Sequence, residues 1–468
     1  MDLKDALEAR LTPYGQQHLL RFWDELSSQQ QRHLAAEIER IDLPLVHRLY
    51  HDTASGEDWS ALARRAEQPA AFRLGSAENP YTPEQGRARG QSVLAAGEVG
   101  VILVAGGQGT RLGFDHPKGM FPIGPISGAS LFQIILEKAL AVGRRWGVPM
   151  PVYVMTSPAT HQETVAFLEE HDRFGIPRND LTIFCQGTMP AVDARTGELL
   201  LTEPGRLHLS PDGHGGMLAA LRQSEALADI QARGLRQMFY LQVDSPLVSM
   251  CDAEFIGYHL LCGSELSTQA VAKQAPLDKV GNLATIDGQL RIIEYSDLPD
   301  EAAERRAADG SLFFWAGNTA VHVFDVAFLA RMADNGTALP YHRALKKAAF
   351  LDDRGECVNP SEPNAVKFEQ FIFDLLPAAK NAIVMEVDAT KTFAPVKNGP
   401  GAAKDSPETV RAQIVALHKE WLEQAGAVVT ECIDVEISPL FALDAEQVAE
   451  KITPGERVDA PRYFTPNG

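Results

Sequence analysis

The run Val101-Ile102-Leu103-Val104-Ala105 passes straight into Gly106-Gly107-Gln108-Gly109-Thr110-Arg111-Leu112-Gly113, with Pro117-Lys118-Gly119 close behind. Five apolar residues in succession, ended by glycines, read as a strand covered on both faces, as in a parallel sheet. Beyond the loop, Ser130 and Gln133 have the spacing of a helix-capping pair, and Leu131, Ile134, Ile135 and Leu136 supply an apolar face. Strand, glycine-rich turn and helix in that order restrict the chain to folds in which ligands meet the carboxyl ends of parallel strands.

The alternation continues. Residues 152–156, 181–185 and 238–243 read as strands, and helices are expected from 160 and over 217–227. The expected fold class is therefore α/β, with a doubly wound, mainly parallel sheet. Residues 1–98 carry helical spacing, through Leu19, Leu20, Phe22, Trp23, Leu26, Leu34, Ile38 and Ile41, with 70–97 as an irregular lead-in rich in proline and glycine. Residues 99–390 form the main domain, in which strands at 267–272, 290–294 and 319–324 are expected to wall the pocket. After turns at Pro395, Gly399, Pro400 and Gly401, residues 391–468 read as a small C-terminal domain with a helix over 407–425.

Two familiar phosphate-binding patterns fail on spacing. The dinucleotide fingerprint started at Gly107 needs glycine at 112, where leucine stands; started at Gly106 it needs glycine at 108, where glutamine stands. The P-loop pattern needs Gly-Lys-Ser/Thr, but Lys118 lies between Pro117 and Gly119. What remains is G-G-x-G-T-R-L-G-x(4)-K. Its glycines let the backbone approach phosphate oxygens, Arg111 can fork two of them, and Lys118 adds a point charge.

The net charge of −19, from 43 basic and 62 acidic side chains, disfavours nucleic acid and anionic membranes as partners. A phosphate ligand then requires a local basic pocket. The five cysteines form no C-x-x-C pair, which suits reduced thiols in the cytoplasm, and neither a signal-peptide pattern nor a long apolar run is present.

The loop VAGGQGTRLG…PKGMFPIG resembles that of the eukaryotic-type UDP-N-acetylhexosamine pyrophosphorylases and their UDP-sugar pyrophosphorylase relatives. The resemblance extends in order through QGTMPA at Gln186, SPDGHGG at Ser210, QVDSPL at Gln242, IIEYSDL at Ile292, WAGNTAVHVF at Trp315, KFEQFIFD at Lys367 and FAPVKN at Phe393. It implies a Rossmann-like, GT-A-like nucleotidyltransferase sheet and transfer of a uridylyl group from UTP to a sugar 1-phosphate, most simply N-acetylglucosamine 1-phosphate. A UDP-glucose or broad UDP-sugar enzyme shares the loop, and a non-catalytic nucleotide-sugar sensor on the same fold is a further alternative.

The resemblance also implies site residues. Arg111, Lys118 and Lys397 would act on the phosphates, and Asp244 would hold Mg²⁺ at the end of its strand. Ala105, Gly106, Gly107, Gly109, Thr110, Gln186 and Gly213 would meet the nucleotide. Gly281, Glu294, Gly317, Asn318, Phe371 and Phe373 would meet the sugar. Taken alone, Gln186 reads as an exposed loop glutamine and Lys397 as a solvated surface lysine, while Phe371 and Phe373 are as readily core and the remaining sugar positions as readily turn residues. Two positions depart from the family pattern: His214 and Ser245 each stand where asparagine is common.

Overall fold

The computed structural model describes residues 2–51, 58–334 and 339–466. The chain forms two compact units, neither of them a continuous segment: residues 1–58, 186–217 and 337–374 make one, and 59–185, 218–336 and 375–468 the other. These units do not follow the division at 98 and 390 expected from the sequence, because residues 186–217 and 337–374 fold with the N-terminal helices. Strand pairing and a shared core, not chain order, draw the boundary.

The larger unit is built on a sheet of ten strands. Its main path runs Ala71–Phe72, Ile383–Glu386, Leu266–Ala272, Ala316–Asp325, Gln237–Gln242, Val99–Val104, Val152–Thr156, Leu181–Cys185. Ala316–Asp325 runs antiparallel to both neighbours, and the other pairs on this path are parallel. Val99–Val104 lies near the centre, between Gln237–Gln242 and Val152–Thr156, and its first five residues are fully buried. The apolar run thus has the surroundings its composition demands.

The strands at Leu266–Ala272 and Ala316–Asp325, expected as a wall over the pocket, are instead members of the main sheet, buried along most of their length. Only the hairpin Asn282–Ile286 with Gln289–Ile293 branches from it, joined through Asn282 opposite Gly317. The irregular lead-in expected over 70–97 is also corrected: Pro83–Ala95 is a helix, opened by Thr82 and Gln85 as a reciprocal capping box. Its glycines are not turn residues. A Cβ on Gly90 would lie 1.8 Å from the Ala253 carbonyl oxygen, and one on Gly257 1.8 Å from that of Gly86. They form a seam along which this helix packs on the helix Ala253–Leu261.

Helix Leu131–Trp146 starts as expected, with Ser130 Oγ accepting from the Gln133 amide at 3.1 Å. The C-terminal helix spans Pro407–Gln424, and a small core from Leu422 to Phe464 lies beyond its start.

The smaller unit packs the helices Leu3–Leu11, Ser28–Arg40 and Leu43–His51 against short antiparallel strands. Its core runs from Leu7 and Trp23 to Val192, Val366 and Phe368. The three-stranded sheet His342–Lys346, Ala365–Glu369, Val192–Asp193 carries the chain into the turn at Gln370.

Candidate active site

The residues singled out from the sequence fall into two groups, one in each unit. In the larger unit the glycine-rich loop leaves the sheet at Val104 and folds back on itself. Gly109 N donates to His116 O at 2.9 Å and Lys118 N to Gly107 O at 3.0 Å. A Cβ on Gly109 would sit 2.7 Å from the Phe114 carbonyl oxygen, so this closure requires glycine there. Ala105 N is bonded to Met155 O at 2.7 Å, and the Gly106 carbonyl accepts from Ser157 Oγ at 2.7 Å. Gly107 and Thr110 stay exposed, as does Arg111 in the 3₁₀ turn Thr110–Leu112. Among the described residues Arg111 forms no ion pair, which leaves its guanidinium available to an anion.

Asp244 follows the strand Gln237–Gln242, whose path is prolonged by a bond from Val243 N to Val104 O at 3.0 Å. Its carboxylate Oδ2 lies 3.3 Å from Lys118 Nζ, and both side chains are largely buried. The Asp244 carbonyl accepts from Val396 N at 2.8 Å, which brings the segment Pro395-Val396-Lys397 onto the same strand end. A Cβ on Gly399 would lie 2.9 Å from Arg111 O, so that segment also crosses the glycine-rich loop. Arg111, Lys118, Asp244 and Lys397, separated by up to 286 positions in the chain, therefore share one cluster of loops at the carboxyl edge of the sheet.

Asp405 was not foreseen. Its carbonyl accepts from both Lys397 N and Asn398 N at 2.9 Å, and it takes a left-handed φ of 56°. Burial raises its pKa, with Lys397 and Lys404 opposing and Asp244 and Asp278 reinforcing. Nothing in its local sequence signals this, because its partners arrive through the fold.

Gly281, Glu294, Gly317 and Asn318 are also brought together. Asn318 N donates to Gly281 O at 2.8 Å, and a Cβ on Gly281 would lie 3.0 Å from Glu294 Oε1. The Asn318 amide oxygen accepts from Thr268 Oγ1 at 3.3 Å and Ala320 N at 3.0 Å. Its NH₂ end is thereby oriented as a donor.

In the smaller unit, Gln186 is buried, with Nε2 3.5 Å from Asp212 Oδ1. Burial pushes the Asp212 carboxyl up to about 6. Gly213 follows with a φ of 86°, and the Gln370 carbonyl accepts from Gly215 N at 2.8 Å while Gln370 N donates to Asp212 O at 2.7 Å. This ties the glycine turn to Phe371 and Phe373. Those two rings lie 5.1 Å apart, with Phe373 buried and Phe371 less so. Phe371 stacks between His214, at 5.3 Å, and His342, at 4.5 Å. His342 Nε2 is 2.7 Å from Asp374 Oδ2.

His214 Nδ1 accepts from Ile372 N at 3.2 Å, and burial pushes the ring's pKa down to about 4. The imidazole is therefore neutral near pH 7, with its proton on Nε2. The ring thus keeps one hydrogen-bond donor.

Mg²⁺ takes few ligands from protein and most from water and phosphate. Among the described residues no cluster of three His, Cys, Asp or Glu side chains is placed to hold an ion, so a protein cage is not provided. A single carboxylate at Asp244 within a cationic loop cluster suits Mg²⁺ arriving with a nucleotide.

Residues 80–425 match the sequence model of the UTP–glucose-1-phosphate uridylyltransferase family. The chain is 36% identical over 453 residues to the UDP-N-acetylglucosamine pyrophosphorylase of Saccharomyces cerevisiae, covering 93% of this chain and 94% of that one. Its structure superposes on a UDP-N-acetylglucosamine pyrophosphorylase from Trypanosoma brucei with a TM-score of 0.81 at 26% identity, over 96% and 95% of the two chains. A putative UDP-N-acetylglucosamine pyrophosphorylase from Entamoeba histolytica gives 0.77 at 30% identity, over 85% of this chain and all of the other.

Proposed function

The chain belongs to the UTP–glucose-1-phosphate uridylyltransferase family, and from that premise we propose that it joins UTP to N-acetylglucosamine 1-phosphate, giving UDP-N-acetylglucosamine and pyrophosphate. The observation that carries this reading is the convergence of Arg111, Lys118 and Lys397 on the strand end at Asp244, in a chain that aligns almost end to end with the yeast pyrophosphorylase.

In the reaction an anionic oxygen of the sugar phosphate attacks the α-phosphorus of UTP. The bond from that phosphorus to the bridging oxygen breaks, and its electron pair leaves with pyrophosphate. No proton has to move, so no general base is needed. The barrier lies in bringing two polyanions into line, which positioned cations lower. We assign Arg111 and Lys118 to the UTP phosphates and Lys397 to the sugar phosphate, with the loop backbone from Ala105 to Thr110 as the cradle. Asp244 would hold Mg²⁺, which when bound supplies further positive charge at the phosphates. Gln186 and Gly213 are assigned to the uridine. Gly281, Glu294, Gly317, Asn318, Phe371 and Phe373 are assigned to the sugar, with the Nε2–H of His214 as a donor in place of an amide. We place the enzyme in the cytoplasm, a reading supported by five free cysteines; among the described residues no helix is long and apolar enough to cross a membrane.

Pyrophosphate release from UTP and N-acetylglucosamine 1-phosphate tests the assignment of Asp244. Chelation should abolish release and added Mg²⁺ restore it. Asp244→Asn should cost about 100-fold or more in kcat, in the range found when one group stabilising transition-state charge is removed. Near-normal turnover and an unchanged Mg²⁺ requirement in that variant would remove Asp244 from the mechanism.

A further inference from the structure

Lys138 lies on helix Leu131–Trp146, and its Nζ donates to the carbonyl oxygens of Pro246 at 2.6 Å and Val248 at 2.9 Å. Those carbonyls belong to the turn that carries the chain away from Asp244. Among the described residues no carboxylate lies within ion-pair distance of the amine, and burial pushes its pKa down to about 7. Glu137, the preceding residue, is engaged with Gln133 and Ser438, and the buried His418 has its pKa pushed down to about 3 by burial and by the Lys138 charge, so it offers the amine no counter-charge.

The same short turn holds two more unfavourable features. Ser245 is 4% exposed, and its Oγ has no hydrogen-bond partner. Cys251, not a glycine, takes a φ of 51°. The desolvated amine, and the orphaned hydroxyl and left-handed cysteine of the turn it contacts, each cost stability. An apolar side chain at 138 would avoid the first of these costs. Local rules broken together in this way point to a requirement of function rather than of the core.

We propose that Lys138 is a positioning residue for Asp244: its clamp on the Pro246 and Val248 carbonyls fixes the direction in which the Asp244 carboxylate leaves its strand. Asp244 is then held on three sides. Val243 N binds Val104 O before it, Val396 N binds its own carbonyl, and Lys138 holds the turn after it. The helix that carries Lys138 also supports the glycine-rich loop. Leu131 N donates to Phe121 O at 3.1 Å, and a Cβ on Gly119 would fall within the Phe132 ring, 2.2 Å from its nearest atom. One helix is thus the mount for both the Arg111–Lys118 loop and the Asp244 turn, so the two keep a fixed spacing. This proposal rests on the assignment of Asp244 to Mg²⁺ and the UTP phosphates.

The test compares wild type, Lys138→Arg, Lys138→Met and Asp244→Asn by steady-state kinetics, by calorimetric titration of UTP at graded Mg²⁺, and by thermal melting. Lys138→Met should lower kcat about tenfold or more and raise the Mg²⁺ concentration for half-maximal UTP binding by a similar factor, the range seen when a group orienting a metal ligand is lost. KM for the sugar phosphate should stay within about threefold, and Lys138→Arg, which keeps the donors, should recover most of the loss. If the methionine variant does not fold, Lys138→Gln, whose amide is one bond too short to replace the amine between both carbonyls, is judged by the same criteria. A variant that melts at lower temperature yet keeps the wild-type kcat and Mg²⁺ dependence, while Asp244→Asn loses both, overturns the role of Lys138 alone. An Asp244→Asn enzyme with unchanged Mg²⁺ dependence overturns the assignment of Asp244, and the purpose given to Lys138 with it.

Discussion

Arg111 and His214 show how differently single residues enter this account. Arg111 is exposed and unpaired by any acid among the described residues, so its removal should leave packing untouched. Arg111→Ala is expected to lower kcat/KM by about 100-fold or more with a melting temperature close to wild type, measured on the same preparation. His214 is fixed by its backbone partner and its ring neighbours, and what it offers outward is one N–H. His214→Asn should therefore keep kcat/KM within about fivefold, while His214→Leu should lose more, because a hydrogen bond left unmade typically costs about 1–3 kcal/mol. Its pH behaviour has a definite sign. The folded pKa of about 4 lies below the unfolded value, so the stability linked to this group is complete above pH ~6.5 and is lost as pH falls toward 4. Ring ¹⁵N shifts between pH 8 and 5.5 should show a neutral ring protonated on Nε2 throughout.

At the scale of elements, the sequence was readable wherever local pattern and tertiary role agree. The strands at 152–156 and 181–185 coincide with Val152–Thr156 and Leu181–Cys185, because short segments rich in β-branched and aromatic residues suit a pleated, largely buried sheet. Gly86 and Gly90 misled for the opposite reason. Glycine is read as a turn former, but here it serves the close approach of two helices, a fact that depends on Ala253 and Gly257 more than 160 residues away. The consequence runs against helix propensity. Gly90→Ala would favour an isolated helix by roughly 0.5–1 kcal/mol, yet in this seam the added methyl should destabilise the protein by about 2–3 kcal/mol, as overpacking does. Denaturant unfolding measures which effect wins. The glycine-rich loop was legible as a turn because its glycines, Arg111 and Lys118 all fall within residues 106–119. Asp405 and Lys138 were not, since each acts on backbone atoms that only the folded chain brings near.

For the whole molecule, a net charge of −19 and a substrate pair of polyanions are reconciled by concentrating Arg111, Lys118 and Lys397 at one edge of one sheet. The larger unit holds those cations, Asp244 and the Gly281–Asn318 group. The smaller unit holds Gln186, Asp212, Gly213 and the His214–Phe371–His342 stack. Relatives of this chain are named both for glucose 1-phosphate and for N-acetylglucosamine, so the identity of the sugar is what separates them. It is tested most directly by incubating the enzyme with UTP, Mg²⁺ and equal concentrations of N-acetylglucosamine, N-acetylgalactosamine, glucose and galactose 1-phosphates, and reading the UDP-sugars by mass spectrometry as pyrophosphate is released. UDP-N-acetylglucosamine should dominate from the first turnovers; a product mixture led by UDP-glucose would contradict the assignment of the sugar.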